Sequence, residues 1–163
     1  MEKSEIWIGN DHAGYEMKLQ VVEFLQSKGF NINNIGTNSK DTVRYPYFAA
    51  KIAGAVSEGR INRGILICST GIGMSIIANR YKGVRAALCT DSYMAKMTRA
   101  HNNSNILCLG GKITGINLVL EIVEVWLNTA YEGGRHDISL RLIAEAKEMI
   151  CKTGKWIPKN DKL

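Results

Sequence analysis

Gly64-Ile65-Leu66-Ile67-Cys68-Ser69-Thr70-Gly71-Ile72-Gly73-Met74-Ser75 decides the fold of this chain. Gly64 to Cys68 carries no charge, and such a run reads as a strand buried on both faces. The glycine-punctuated stretch behind it reads as a tight turn that opens a helix. The first N–H groups of a helix have no intrahelical partner and sit at the positive end of its dipole, so a phosphate or a developing oxyanion is stabilised at such a turn. Cys68 closes the strand on the lip of this turn. There the same positive end favours a thiolate able to serve as base or nucleophile. The competing reading makes Cys68 a small buried apolar residue and nothing more.

Outward from this segment, short β-branched runs alternate with longer amphipathic ones. Strands are expected at 5–10, 30–35, 64–68, 84–89 and 105–109, and helices at 14–28, 46–58, 74–81, 92–101 and 113–130. Strand and helix in strict turn predict an α/β fold with a parallel sheet covered on both faces. A last helix from about Ile138 to Cys151 follows the Gly133-Gly134 break and is expected to pack on a partner subunit. Ligands of such sheets bind at the carboxyl ends of the strands. That rule gathers Asp11 and His12, the loop from Cys68 to Ser75, Asp91, and Gly110 to Lys112 on one rim. His101-Asn102-Asn103, at the far end of the fourth helix, falls on the opposite rim and would reach this site only from another subunit.

At 163 residues the chain has the length of one domain, read as 1–151, with a basic tail over 152–163. Its composition, 45% hydrophobic and 22% charged, is globular, and no apolar run nears the ~20 residues of a membrane span. Met1 to Glu5 leads straight toward a strand rather than into a signal-like apolar stretch, so a cytosolic location is expected. Cysteines 68, 89, 108 and 151 show no Cys-x-x-Cys spacing, which supports neither a disulfide framework nor a zinc site. The net charge of +6 is scattered, so it fits the steering of an anionic small molecule better than nucleic-acid binding. A dinucleotide cofactor is disfavoured too. The first strand ends in Gly9-Asn10-Asp11-His12-Ala13-Gly14 rather than Gly-x-Gly-x-x-Gly, and no acid closes the second.

Several segments in matching order carry a resemblance: Asp11-His12-Ala13-Gly14, Gly36-Thr37, Tyr45-Pro46, the Gly64–Ser75 segment, Asn79, Gly83-Val84-Arg85-Ala86, Arg99 to Asn105, and Tyr131 to His136. Over these the chain resembles the type B ribose-5-phosphate isomerases and their galactose- and allose-phosphate relatives. The resemblance implies a Rossmann-like five-stranded sheet, a homodimer or dimer of dimers, no metal and no cofactor, and the interconversion of aldose and ketose phosphates, with ribose 5-phosphate and ribulose 5-phosphate as the expected pair. It implies that Cys68 takes the carbon-bound proton and that His101 protonates the ring oxygen of the cyclic sugar. Amides of Gly71, Ile72, Gly73, Met74 and Ser75, with the Thr70 hydroxyl, would hold the enediolate, each well-placed donor being worth about 3 kcal/mol. His12 and Arg135 are implied as phosphate ligands, with Tyr45 and Asn102 lining the sugar.

For three of these residues a plainer role competes. Asp11 either orients a sugar hydroxyl or caps the helix that follows. Tyr45 is also the kind of residue that precedes a helix-opening proline, and Arg135 also reads as a solvated loop arginine. The chain departs from the family pattern in three places. Arg44 stands where an aspartate usually supports the ring-opening histidine, and Lys112 replaces an arginine, keeping the charge without the bidentate fork. Ser139 stands where a second phosphate arginine is usual. The next arginine, Arg141, joins Lys112 as a candidate phosphate ligand, and on a helix that starts where the family's does it is turned about 200° from the usual position. These departures leave hexose 6-phosphates or a tetrose 4-phosphate as alternative substrates, and a non-catalytic nucleotide or sugar-phosphate sensor as an alternative of another class.

Overall fold

The computed structural model describes residues 5–156 and divides the chain into two compact units, Met1–Tyr131 and Glu132–Leu163. The first unit alternates β1 (Ile6–Asn10), α1 (Tyr15–Ser27), β2 (Ile32–Asn34), α2 (Tyr45–Ser57), β3 (Gly64–Cys68), α3 (Ile72–Ala78), β4 (Ala86–Leu88), α4 (Ser92–Ala100), β5 (Ile106–Gly110) and α5 (Ile116–Asn128). The second is built on α6 (Arg135–Thr153). All pairings are parallel, in the order β2-β1-β3-β5-β4, so every strand delivers its carboxyl end to the same rim. Between β1 and β3 the direction of winding reverses, and a crevice opens there in sheets of this kind.

Side-chain alternation along the central strands divides the core in two. Ile65 and Ile67 of β3, with Leu107 and Leu109 of β5, pack with Val21 and Leu25 of α1, Ala95 of α4 and Val123 and Trp126 of α5. Leu66 and Cys68, with Ile106 and Cys108, pack with Ile52 and Ala53 of α2 and Met74 and Ala78 of α3. Helices therefore cover both faces, as the strand-helix alternation predicts. The Cys68 side chain is committed by this alternation to the face on which α3 begins.

Several boundaries differ from expectation, and the clearest differences have physical reasons. The edge strands β2 and β4 each pair with a single neighbour and shrink to three residues. Helix α6 starts at Arg135 and runs through Thr153, so Lys152 belongs to its last turn, ion-paired with Glu148 at 2.5 Å. Of the expected basic tail, 157–163 lies outside the described residues. No described helix is long and apolar enough to cross a membrane.

Candidate active site

Three loops meet where the strands end. Behind β1, Asp11 donates its N–H to the carbonyl of Ile67 at 3.2 Å. Behind β5, Gly111 and Lys112 donate theirs to the carbonyls of Cys68 and Ser69, at 2.7 and 3.0 Å. The β1 and β5 loops are thus bonded to the β3 loop from either side, and the Cys68–Ser75 segment is held between them. The Asp11 side chain is buried and accepts from Ala13 N–H and Gly14 N–H at 2.9 and 3.1 Å. Of its two readings from sequence, the cap is the one this geometry displays.

His12 opens the same turn, and its Nδ1 accepts from the backbone N–H of Val43 at 3.2 Å. That bond fixes the neutral tautomer, leaving Nε2 as the proton-bearing nitrogen. It also ties the β1 loop to the chain that leads into Tyr45. Pro46 supplies a helix-opening residue, and Tyr45 begins α2 as the plainer reading expected. Its ring, however, lies over the β3 loop: a Cβ built on Gly73 would stand 2.6 Å from Tyr45 Cζ. The absence of a side chain at Gly73 is what lets the ring approach.

The β3 loop distributes its amides unequally. Gly71, at φ +78° in the left-handed region, donates its N–H to Cys68 Sγ at 3.1 Å. The sulfur thus accepts a backbone N–H, and Cys68 remains 5% exposed at the loop. Ile72 N–H is taken by Thr70 Oγ1 at 3.3 Å and Ser75 N–H by the Gly71 carbonyl at 3.1 Å. Gly73 and Met74 are then the first-turn amides with no partner among the described residues. The anion-holding capacity expected of the whole segment is concentrated at these two amides, with the Thr70 hydroxyl proton beside them. Elsewhere, burial, reinforced by Asp91, pushes the Cys89 thiol up to about 12, and burial pushes Cys108 upward as well.

The remaining expected residues lie elsewhere. His101 caps the C-terminus of α4 and Asn102 follows it, so both sit at the amino ends of the strands. Four residue steps of β5 separate the two rims by about 13 Å. Within one chain Cys68 and His101 are therefore not brought together, in agreement with the sequence reading. Arg44, the N-cap of α2, is exposed on the Cys68 rim and so lies away from His101 of its own chain. Arg135 and Arg141 belong to the second unit. Because α6 is continuous from Arg135, Ser139 lies close to the face of Arg135 and Arg141 is turned about 240° from it.

Residues 6–143 match the family described as Ribose/Galactose Isomerase. The chain belongs to that family. Ribose-5-phosphate isomerase B of Escherichia coli is 39% identical over 144 residues, covering 88% of this chain and 97% of that protein. The structure of Clostridium thermocellum ribose-5-phosphate isomerase B superposes with a TM-score of 0.86 at 46% identity, covering 88% of this chain and 97% of its own. D-erythrulose-4-phosphate isomerase of Pectobacterium atrosepticum is 39% identical over 130 residues, 79% of this chain and 86% of that protein. Family membership makes the chain an enzyme and sets the sensor reading aside.

One buried polar residue behind the loop that leads to Val43 escaped the sequence reading. Lys18 is fully buried, and its Nζ donates to the Thr37 carbonyl at 2.9 Å and Asn38 Oδ1 at 2.8 Å, pinning the loop that carries Val43 toward His12. Burial lowers its pKa. The signal was available: Lys18 lies three residues before Val21 and seven before Leu25, on the stripe that faces the core.

Proposed function

We propose that this enzyme interconverts ribose 5-phosphate and ribulose 5-phosphate through an enediolate, without a metal or cofactor, as a homodimer or dimer of dimers in the cytoplasm. The observation that carries the reading is the Gly71 N–H to Cys68 Sγ bond beside the unclaimed amides of Gly73 and Met74. A base and an oxyanion site stand on one loop. Cys68 as thiolate removes the C2 proton of the open-chain aldose, and the enediolate oxygens are held by those amides and the Thr70 hydroxyl. The proton returns to C1 while a hydroxyl proton passes from O2 to O1, giving the ketose.

Ring opening precedes this. His101 of a second copy protonates the ring oxygen, since the His101 of the same chain is on the other rim, and Asn102 beside it lines the sugar. Asp11, held at its cap, orients a hydroxyl. His12 directs Nε2–H toward the phosphate, Lys112 adds charge and Tyr45 covers the sugar; Arg135 is a phosphate ligand on the family resemblance alone. The exposed apolar side chains Ile138, Leu142 and Ile150 of α6 are those that a second copy would cover. A second reading has its own support: Lys112 and Ser139 alter the phosphate end, and a tetrose-phosphate isomerase is among the similar proteins.

Proton NMR in D2O, with ribose 5-phosphate, hexose 6-phosphates and erythrulose 4-phosphate supplied in turn, tests both readings. Deuterium should enter the pentose pair fastest, and Cys68→Ala should lower turnover by about a thousandfold or more, the scale of removing a principal proton-transfer group. Unchanged turnover in Cys68→Ala would remove Cys68 from the role of base. Preference for the tetrose would shift the substrate and leave the loop chemistry intact.

A further inference from the structure

At the amino ends of the strands a cavity of about 660 Å³ is lined by Arg63, Arg85 and Arg99. Each arginine comes from a different crossover, just before β3, just before β4 and near the end of α4, so only the parallel topology brings them together. No carboxylate lines the cavity, and none pairs with these guanidiniums among the described residues. Their partners are neutral oxygens. Arg63 Nη1 donates to the Leu127 carbonyl at 2.7 Å, and Arg85 donates to the carbonyls of Asn103 and Gly83 at 2.9 and 3.1 Å. Arg99 uses Nη1 alone, toward Asn103 Oδ1 at 2.9 Å and the Ser104 carbonyl, while its buried Nε has no partner.

Like charges gathered in a partly desolvated space without a counter-charge are costly unless an anion joins them. The side chains bear this out: burial first, then the charges of Arg63 and Arg85, lowers the Arg99 guanidinium to about 10. Flat contacts with Trp126 relieve part of the cost, since the guanidinium carbons of Arg63 and Arg99 lie 5.8 and 5.9 Å from the indole centroid. Phe30, Val56, Ile61 and Leu127 give the cavity an apolar wall beside the charges. Guanidinium forks match phosphate oxygens, and apolar lining suits a small organic group attached to them.

We propose that this cavity binds a small phosphate monoester, at a site separated from Cys68 of its own copy by the length of the central strands. The inference stands on the arginine cluster and does not depend on the isomerase reading. It assigns to the amino-end rim an anion site that the proton-transfer chemistry does not use.

Trp126 is the reporter. In a full-length Trp7→Phe/Trp156→Phe variant it is the sole tryptophan. Titration with inorganic phosphate and with glycerol phosphate, at constant ionic strength against chloride, should give a saturable change in its fluorescence, tighter for the ester. The change should persist in His12→Ala, and should weaken about tenfold or more in Arg63→Gln and in Arg85→Gln, the loss expected when one charge-assisted contact disappears. These two arginines are only half-buried, so they carry the test in place of the buried Arg99. Absence of a saturable change, affinity in the two glutamine variants equal to the parent's, or loss of signal in His12→Ala overturns the proposal. So does phosphate-driven dissociation of the oligomer, which would make the cavity an interface between copies. An inactive enzyme that still titrates at Trp126 refutes the isomerase reading alone.

Discussion

The two rims of the sheet solve opposite problems with the same backbone. On the carboxyl-end rim the chain brings peptide N–H groups to bear: Gly71 on the Cys68 sulfur, with Gly73 and Met74 open to a ligand. Positive potential is made there from dipoles, close to a nucleophilic atom and with little side-chain entropy to lose. On the amino-end rim positive potential comes from whole charges, Arg63, Arg85 and Arg99, and His101 lies at the end of α4 on the same rim. Dipoles suit an oxyanion that exists only briefly, because they hold it without binding the ground state tightly. Full charges suit an anion that is simply to be held. Under the proposed function a single copy carries the proton-transfer half of the isomerase on one rim and the ring-opening half on the other.

The largest effect expected from breaking this division is at His101. His101→Ala should lower turnover of the cyclic sugar by about a hundredfold to ten-thousandfold, the range of a general acid. When purified His101→Ala and Cys68→Ala are dissociated together and reassembled in equal amounts, activity should return to about a quarter of the parent, because half the dimers are mixed and one of their two sites is intact. No recovery on mixing would place the acid and the base in one chain and refute the composite site.

Next in size is the loop that creates the dipolar rim. Gly71 sits at φ +78°, and a Cβ there would meet Leu88 Cδ1 at 2.5 Å and the Leu109 carbonyl carbon at 3.0 Å. Gly71→Ala should therefore cost about 1–3 kcal/mol from backbone strain alone, with more from the clash, and should displace the amide from Cys68. Thermal unfolding measures the first effect and single-turnover kinetics the second. Gly73→Ala has an ordinary backbone and meets only the movable Tyr45 ring, so it should change KM more than stability.

Between these rims the sequence was legible where a local pattern decides the outcome. The β3 strand was readable to the residue, because an uncharged run ending in a glycine turn has one economical conformation. The rim assignment of His101 followed from strict alternation alone. The start of α3 was not legible: it begins at Ile72 rather than Met74, since Gly71 in the left-handed region and the Thr70 hydroxyl cap it earlier than the glycine pattern suggests. Asp11 could not be resolved between cap and catalyst, because both roles need a short carboxylate at the same position. The arginine cavity was invisible for a different reason. Its members are far apart in sequence, and each one alone reads as a solvated charge.

A smaller effect is expected at Cys89. For Cys89 the thiol stays protonated to about 12 when folded, against 9.0 for an unperturbed thiol. Between those values the unfolded chain has lost a proton that the folded chain keeps, so stability must fall as pH rises, by about 1.4 kcal/mol per pH unit for each such thiol. Chemical denaturation from pH 8 to 11 should show this decline starting near pH 9. In Cys89→Ala the decline should be shallower. Equal slopes in parent and variant would mean that Cys89 is not sealed by burial as the structure has it.

The smallest expected effect is at Arg141, and its smallness is informative. Arg135 opens α6 and Arg141 is exposed about 240° around the helix from it, so a phosphate gripped by one is out of line with the other. Arg135→Ala should raise KM about tenfold or more, as the loss of a phosphate fork does, whereas Arg141→Ala should stay within about twofold of the parent. A matched loss in both variants would mean that the helix presents both faces to one phosphate, which a straight α6 cannot do. The phosphate end would then need a bend in α6 or contributions from two copies of it. Ser139→Arg offers the converse: it places a guanidinium about 40° from Arg135, and a lower KM in that variant would locate the phosphate on that face.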